Sequence, residues 1–306
     1  MEAESSVLTE VIVPSRLRQM SKRQIQHCDI PEQNIDPVTV KSFGEEWKAF
    51  HDFSEKDIRL LGEKYFDIVD EGMLNEHSNV IDIGCGSGRF IKYLDGRYAS
   101  ITGVEPSEAI YVADELLGEQ QGVKLVRTST ENLPFPDGHF DFGYSLGVLH
   151  HIPDTAKALK DCVKKIKPGG HFLLYLYYNL DNRGFFTRSL FHCSNLLRKT
   201  ISRFPQKMKK ITCDILAVTL YMPFVFAHRF FKMLGVSSEY RRWIPLQAYE
   251  DQRFYIIRND SYDRFATPLE ARFSKQQIEQ MMKAAGLTDI RFSPKIPYWH
   301  AVGRKA

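Results

Sequence analysis

The chain has 306 residues, 43% of them hydrophobic and 26% charged, with 41 Lys and Arg against 38 Asp and Glu for a net charge of +3. This is an ordinary globular composition with room for one large core or two modest ones, and so small a net charge points to no class of partner. The five cysteines make no C-x-x-C pair and no zinc-like cluster with histidine, which excludes a Cys/His metal site and suits a reduced, cytosolic setting. Residues 1–10 carry acids and no apolar h-region, so no secretory signal is expected, and no run approaches the roughly 18 apolar residues that span a bilayer.

Residues 1–42 form a polar N-terminal extension broken by Pro14, Pro31 and Pro37, and part of it is expected to be flexible. Phe43-Gly44-Glu45-Glu46-Trp47-Lys48-Ala49-Phe50 follows. Then Leu60, Leu61, Tyr65, Phe66 and Ile68 predict a helix over about 55–71. The favoured expectation is a helix packed on the domain edge; the sharper one makes Trp47 and Phe50 part of a lid over a ligand.

Val80–Ile83 reads as a buried strand, Gly84, Gly86 and Gly88 as a turn, and Phe90, Ile91 and Leu94 as one face of a helix. Strand, glycine turn and helix open a nucleotide-binding α/β unit. The glycines admit a ligand close to the backbone, and the helix start offers unpaired N–H groups. The spacing is G-x-G-x-G, not the G-x-G-x-x-G of dinucleotide sites, which disfavours an NAD-dependent oxidoreductase. A second strand over 99–105 ends on Glu105, 17 residues after Gly88, where an acid accepts from both hydroxyls of a ribose. Pro106 stops that strand and Ser107 caps a helix over Glu108–Leu117. Val123–Arg127 is the third strand, and the fourth runs from about His139. A helix over Thr155–Ile166 leads to Lys167-Pro168-Gly169-Gly170 and a fifth strand reaching Tyr178.

Asp82-Ile83-Gly84-Cys85-Gly86-Ser87-Gly88 resembles the first motif of the class I S-adenosylmethionine (SAM) methyltransferases. That ligand has no pyrophosphate and carries a sulfonium, which a nearby carboxylate suits. Thr128–Phe135 resembles the D-A-E-N-L-P-F segment beside the adenine in the methyltransferase type 11 family, with Ser129 in place of the usual Asp. His139–Ile152 resembles the family's F-D-x-V-x-S-x-x-V-L-H-H stretch, and the K-P-G-G turn is a further landmark. The resemblance covers about residues 78–178. It implies an α/β, Rossmann-like, seven-stranded and mostly parallel sheet with flanking helices, and SAM as cofactor with S-adenosylhomocysteine as product. The cofactor would be held by Asp82, Gly84, Cys85, Gly86, Gly88, Glu105, Pro106, Ser129, Thr130, Glu131, Ser145 and Leu146. His150 and His151 stand where an acceptor would approach. Either has the chemistry of a general base near neutral pH, the alternative being a packing role. No metal is implied.

The core thus spans 43–178, a helical insertion 179–270, and a closing segment 271–306. Ser274 caps the last helix and Gly286 ends it; strands near Thr288–Phe292 and Tyr298–Gly303 would be the family's antiparallel pair. Residues 183–245 hold 12 Lys or Arg against Asp214 and Glu239, a net +10 that leaves −7 on the rest. Aromatics including Phe185, Phe186, Phe191, Phe224 and Trp243 are interleaved, and Ile215–Ala227 is an apolar run of 13 residues. The first reading is a helical cap with solvated charges. The second is a surface for anionic lipid or a lipid-linked substrate. The third is a phosphate-rich or nucleic-acid ligand. In Tyr262-Asp263-Arg264-Phe265, a carboxylate or phenol would reach the acceptor, or the stretch would hold Arg264 in an ion pair. The expectation is a cytoplasmic SAM-dependent methyltransferase that O- or N-methylates a small-molecule or lipid-linked acceptor. The alternatives are a SAM-binding interaction protein without catalysis and a methyltransferase acting on a phosphate-rich or RNA substrate. The oligomeric state is not legible.

Overall fold

The computed structural model describes residues 16–19, 23–30, 33–50, 52–180, 184–241, 243–297 and 299–306. Among them, nine strands make one sheet: β1 (Arg16–Gln19), β2 (Gln24–His27), β3 (Asn79–Ile83), β4 (Ser100–Val104), β5 (Val123–Arg127), β6 (Phe140–Leu146), β7 (Ile166–Tyr175), β8 (Leu287–Phe292) and β9 (Ala301–Lys305). Their order is β1-β2-β5-β4-β3-β6-β7-β9-β8. β2 through β7 are parallel, whereas β9 opposes both β7 and β8, and β1 opposes β2. The helices are α1 (Pro37–Ala49), α2 (Glu55–Tyr65), α3 (Arg89–Tyr93), α4 (Ala109–Leu117), α5 (Thr155–Lys164), α6 (Phe185–Ile201), α7 (Gln206–Leu216), α8 (Met222–Met233), α9 (Ser238–Arg241), α10 (Phe254–Ala266) and α11 (Lys275–Ala284).

β3 to β9 are the expected seven-stranded sheet with its antiparallel end. β1 and β2 correct the reading of residues 1–42: Gln26 and His27 pair with Val126 and Arg127, and Ile25 is fully buried. α1 also starts inside that segment; residues 1–15, Pro31 and Tyr298 lie outside the described residues. α2 stops at Tyr65 rather than near 71, because Asp67 is drawn across to Ser293 and His300, whose side chains bond its carboxylate at 2.9 and 2.7 Å.

Alternation along the strands divides two core layers. Val80, Leu173 and Tyr175 pack with Ile91, Leu94, Ala113 and Leu117, while Ile81, Ile83, Phe172 and Leu174 pack with Leu159, Val163, Ile278 and Met282. Each such side chain taken fully from water contributes about 1.5–3 kcal/mol. Chain order reverses between β3 and β6, and the carboxyl ends of strands at that switch point are where open α/β sheets bind ligands.

α6 to α10 lie between β7 and α11. Cys213, Ala217, Tyr221 and Val225 pack on Ile257, Tyr262 and Phe265 of α10, joined by Phe50 at the end of α1. α7, a π turn over Ala217–Tyr221 and α8 run on as a single helix, Gln206–Met233. This corrects the expectation that no stretch could span a bilayer: the helix is 28 residues long and apolar enough by length and composition. Pro223 does not break it, because the proline falls in the first turn of α8 beside the π turn, where no i→i−4 bond is lost. The insertion's charges are not all solvated either. Arg198 and Arg241 are buried, Arg198 bonding the Thr267 and Pro268 carbonyls and Arg241 pairing with Glu250. Arg183 and Arg242 lie outside the described residues.

Candidate active site

The site begins at the turn after β3. Gly84, Gly86 and Gly88 have φ of +79°, +52° and +78°, a region costly for side chains. A Cβ on Gly84 would fall 2.5 Å from Val148, and one on Gly86 3.0 Å from the Trp47 indole. The Gly84 and Cys85 N–H groups donate to the Val104 carbonyl, which ties the turn to the end of β4. Glu105 follows. Its Oε2 accepts from the Gly86 N–H at 3.1 Å and its Oε1 from the Ser107 N–H at 2.9 Å. Burial pushes the Glu105 carboxyl above its usual range in spite of these bonds.

These groups border a cavity of about 610 Å³. Of the residues predicted from sequence, Gly84, Cys85, Gly86, Glu105, Pro106, Ser129, Thr130, Leu146 and His151 line it. The others do not, which corrects their assignment to direct contact. Asp82 lies beneath the turn, where burial raises its pKa to about 8, Tyr144 and Arg89 opposing the rise and Glu105 adding to it. Gly88 caps α3 against Ala113 and Leu117. Glu131 turns outward to Lys157. Ser145 spends its hydroxyl on the Ile83 carbonyl at 2.9 Å. His150 is fully buried under Tyr177, ring centroids 3.9 Å apart.

His151 is placed for chemistry. Its Nδ1 lies 2.6 Å from the Leu269 carbonyl, which can only accept, so Nδ1 carries the hydrogen and Nε2 holds a lone pair. Nε2 is buried without a partner. Burial lowers the imidazole's pKa below its usual value, against the Asp263 charge and the Leu269 bond, which raise it. Phe43 of α1 packs edge-on to this ring at 4.8 Å. The lid reading of Trp47 therefore describes the structure better than an edge helix: Thr39, Phe43, Glu46 and Trp47 all line the cavity. Phe50 belongs instead to the core shared with the insertion.

Sequence reasoning missed most of the opposite wall. Asn259 donates to Glu46 Oε1 at 2.6 Å, linking α10 to α1. Asp263 accepts from the Tyr177 hydroxyl, and Asp260 lies one turn earlier on α10. Burial and then Asp263 raise Glu46 well above the carboxylate range and Asp260 to about 6. Arg264 and Arg272 share Glu270 at 3.0 and 2.7 Å. Of the Tyr262–Phe265 alternatives, the structure holds both: Asp263 reaches the cavity, and Arg264 is in an ion pair, while Tyr262 is core. The only signal was spacing, since Asn259, Asp260 and Asp263 fall on neighbouring turns of one helix in a segment of mixed polarity.

The site fits a SAM-sized nucleoside. Gly84 and Gly86 keep the turn bare of side chains beside the cavity, since a Cβ on either would collide with Val148 or Trp47, Glu105 stands at the strand end, and Ser129, whose buried Oγ has no partner, is among the lining residues. Residues 81–174 match the model of a methyltransferase domain family. A ubiquinone biosynthesis O-methyltransferase of Marinobacter nauticus is 31% identical over 152 residues, 46% of this chain and 63% of that protein. A sterol 4-C-methyltransferase of Caenorhabditis elegans is 32% identical over 112 residues, 35% of this chain and 34% of that protein. A solved SAM-dependent methyltransferase of Aquifex aeolicus aligns over 82% of this chain and 97% of its own, at 13% identity and a TM-score of 0.44. The chain spans 63% and 65% of the length of the first two curated relatives it matches. Strand order and glycine cradle together are those that a class I methyltransferase domain has. Over residues 81–174 the chain is similar to the methyltransferase domain family, and over 152 residues to a ubiquinone biosynthesis O-methyltransferase.

Proposed function

We propose that this protein transfers a methyl group from SAM to a hydroxyl of a small-molecule acceptor, with His151 as general base. The observation that carries the reading is His151, a residue of the cavity lining whose tautomer is fixed by the Leu269 carbonyl and whose buried Nε2 has no partner. Glu105 would hold the ribose, Ser129 and Thr130 the adenine edge, and Gly84, Cys85, Gly86 and Leu146 the remainder through backbone contacts. When bound, SAM supplies an electrophilic methyl on a sulfonium, a good leaving group that makes positioning and desolvation the protein's main contribution. His151 Nε2 takes the acceptor's hydroxyl proton, and Asp263 opposes the imidazolium charge that results. α1 and α10 exclude water above the glycine turn.

Five free cysteines, four of them buried, support a reducing, cytoplasmic setting. A second reading, an amine acceptor, is favoured by Glu46, Asp260 and Asp263, three carboxyls facing one cavity. The test is methyl transfer from labelled SAM across hydroxyl and amine acceptors, with His151→Ala beside wild type. Loss of about 10²–10⁴-fold in kcat with unchanged SAM affinity supports the base. Equal rates in both proteins would reject it.

A further inference from the structure

On the helix Gln206–Met233 the face opposite α10 is apolar and exposed. Met208, Ile211, Ile215, Val218, Phe226 and Phe230 follow one another along it at helical spacing, and each is more than half exposed. At 1.5 Å per residue this helix is about 42 Å long. An exposed apolar stripe running from Met208 to Phe230, about 33 Å at that rise, marks an interaction surface on a folded domain. The helix itself carries five cations, Lys207, Lys209, Lys210, Arg229 and Lys232, and a single acid, Asp214. Asp214 is turned to Arg258 at 2.6 Å. Lys207 and Lys210 are exposed at one end of the stripe; at the other, Arg229 and Lys232 are exposed, with Arg229 bonded to the Glu250 and Gln252 carbonyls and Lys232 paired with Asp251.

We infer that this face docks on an anionic lipid bilayer, with the helix lying in the interface rather than crossing it. Crossing is opposed by the buried side, which holds Lys209, Cys213, Tyr221 and His228 and packs on α10 and the cavity core. A second copy packed parallel on the same face would bring Lys207 and Lys210 against their counterparts, which costs both copies. Nucleic acid fits poorly, since four of the six stripe residues are aliphatic or Met and only Phe226 and Phe230 offer rings to stack on bases. Aliphatic and Phe side chains between flanking Lys and Arg are the composition of an interfacial helix on anionic lipid. The same helix walls the cavity through Leu220 and Phe224, and Leu197 and Trp243 line the cavity while 47% and 74% exposed. Docking on this face would therefore bring the cavity's apolar rim to the lipid. As to what enters there, this rests on the methyl-transfer reading; the docking itself does not.

The test is flotation of the full-length protein with phosphatidylcholine vesicles and with vesicles containing phosphatidylglycerol, together with the double variant Ile215→Glu/Phe226→Glu. Neither residue lines the cavity, so SAM titration of the variant reports separately on the cofactor site and on folding. The expected result is binding to phosphatidylglycerol vesicles that weakens with salt and falls at least tenfold in the variant, with its SAM affinity unchanged. Wild-type protein that does not float with anionic vesicles at low salt would overturn the inference. So would a variant that floats equally well, or a wild-type dimer that this variant converts to monomer. Loss of SAM binding by the wild-type protein would count against the cofactor reading and leave the docking result standing.

Discussion

His150 and His151 are neighbours in the chain with opposite surroundings. The 3₁₀ turn that holds both buries His150 beneath Tyr177, with neither ring nitrogen partnered. It brings His151 to the cavity, where the Leu269 carbonyl fixes its tautomer. Because burial holds His151 below the ordinary imidazole value of about 6.5, the base is already neutral at physiological pH. The pH profile of kcat/KM should accordingly have its acid limb below that value and stay flat above it; a limb above 7 would reject His151 as the base. His150→Phe should keep the limb in place. The sequence offered both histidines equally, since the deciding carbonyl is 118 residues away. Glu105 was more legible, because strand-end position and residue chemistry agree there. Glu105→Ala should weaken SAM binding about tenfold to a hundredfold in calorimetry, the worth of charge-assisted bonds at one carboxylate. An unchanged affinity would remove the ribose from this site.

Among the elements, those built from local pattern match their predicted places. Ser274 and Gln277 form a reciprocal cap on α11, and Gly286 with φ +92° ends the segment. The glycine turn precedes α3 as its spacing required. Less legible were elements whose role depends on a distant partner. α1 was not legible as a helix, and its role appears only when Trp47 is seen against Gly86 and Glu46 against Asn259, 213 residues on. α10 lacks a clear apolar stripe because it is buried on several sides: Ile256, Asn259, Ser261, Tyr262 and Phe265 are all buried. Gly62 shows how closely elements approach. A Cβ there would lie 2.2 Å from the Tyr93 ring where α2 meets α3. Gly62→Val should therefore lower stability by about 1–3 kcal/mol in denaturant melts, the cost of overpacking. No loss would mean that the two helices are free to separate.

Across the whole molecule, charge follows fold rather than composition. The excess of cations in residues 183–245 is reduced by Glu250 and Asp251, which lie just beyond that window and pair with Arg241 and Lys232. Carboxyls gather around the cavity instead. Asp82 and Asp260 titrate near 8 and 6 in the folded chain, against about 3.9 when unfolded. Between those values the unfolded chain binds fewer protons at these two groups, so their contribution to the stability of the ligand-free protein falls as pH rises from about 4 towards 8, against an opposite contribution below about 6.5 from buried histidines such as His151. Thermal melts should show the decline between about pH 6.5 and 8, and Asp82→Asn should flatten it. A variant as steep as wild type would locate the effect elsewhere. A cationic ligand favours the ionised carboxylates, so binding of SAM should release protons, measurable by calorimetry in buffers of different ionisation enthalpy.

The sequence by itself determined the α/β class, the glycine turn, Glu105 and the ligand edge of the sheet. Each of these is written in short-range pattern: strand alternation, glycine spacing and an acid at a strand end. Tertiary structure decided that Asp82, Glu131, Ser145 and His150 stay off the cavity, that residues 24–27 extend the sheet, and that α10 supplies the acidic wall. It also decided that the run around Ile215 belongs to a 28-residue helix with one apolar face left uncovered. Those outcomes depend on which residues far apart in the chain meet, and local periodicity carries no record of that.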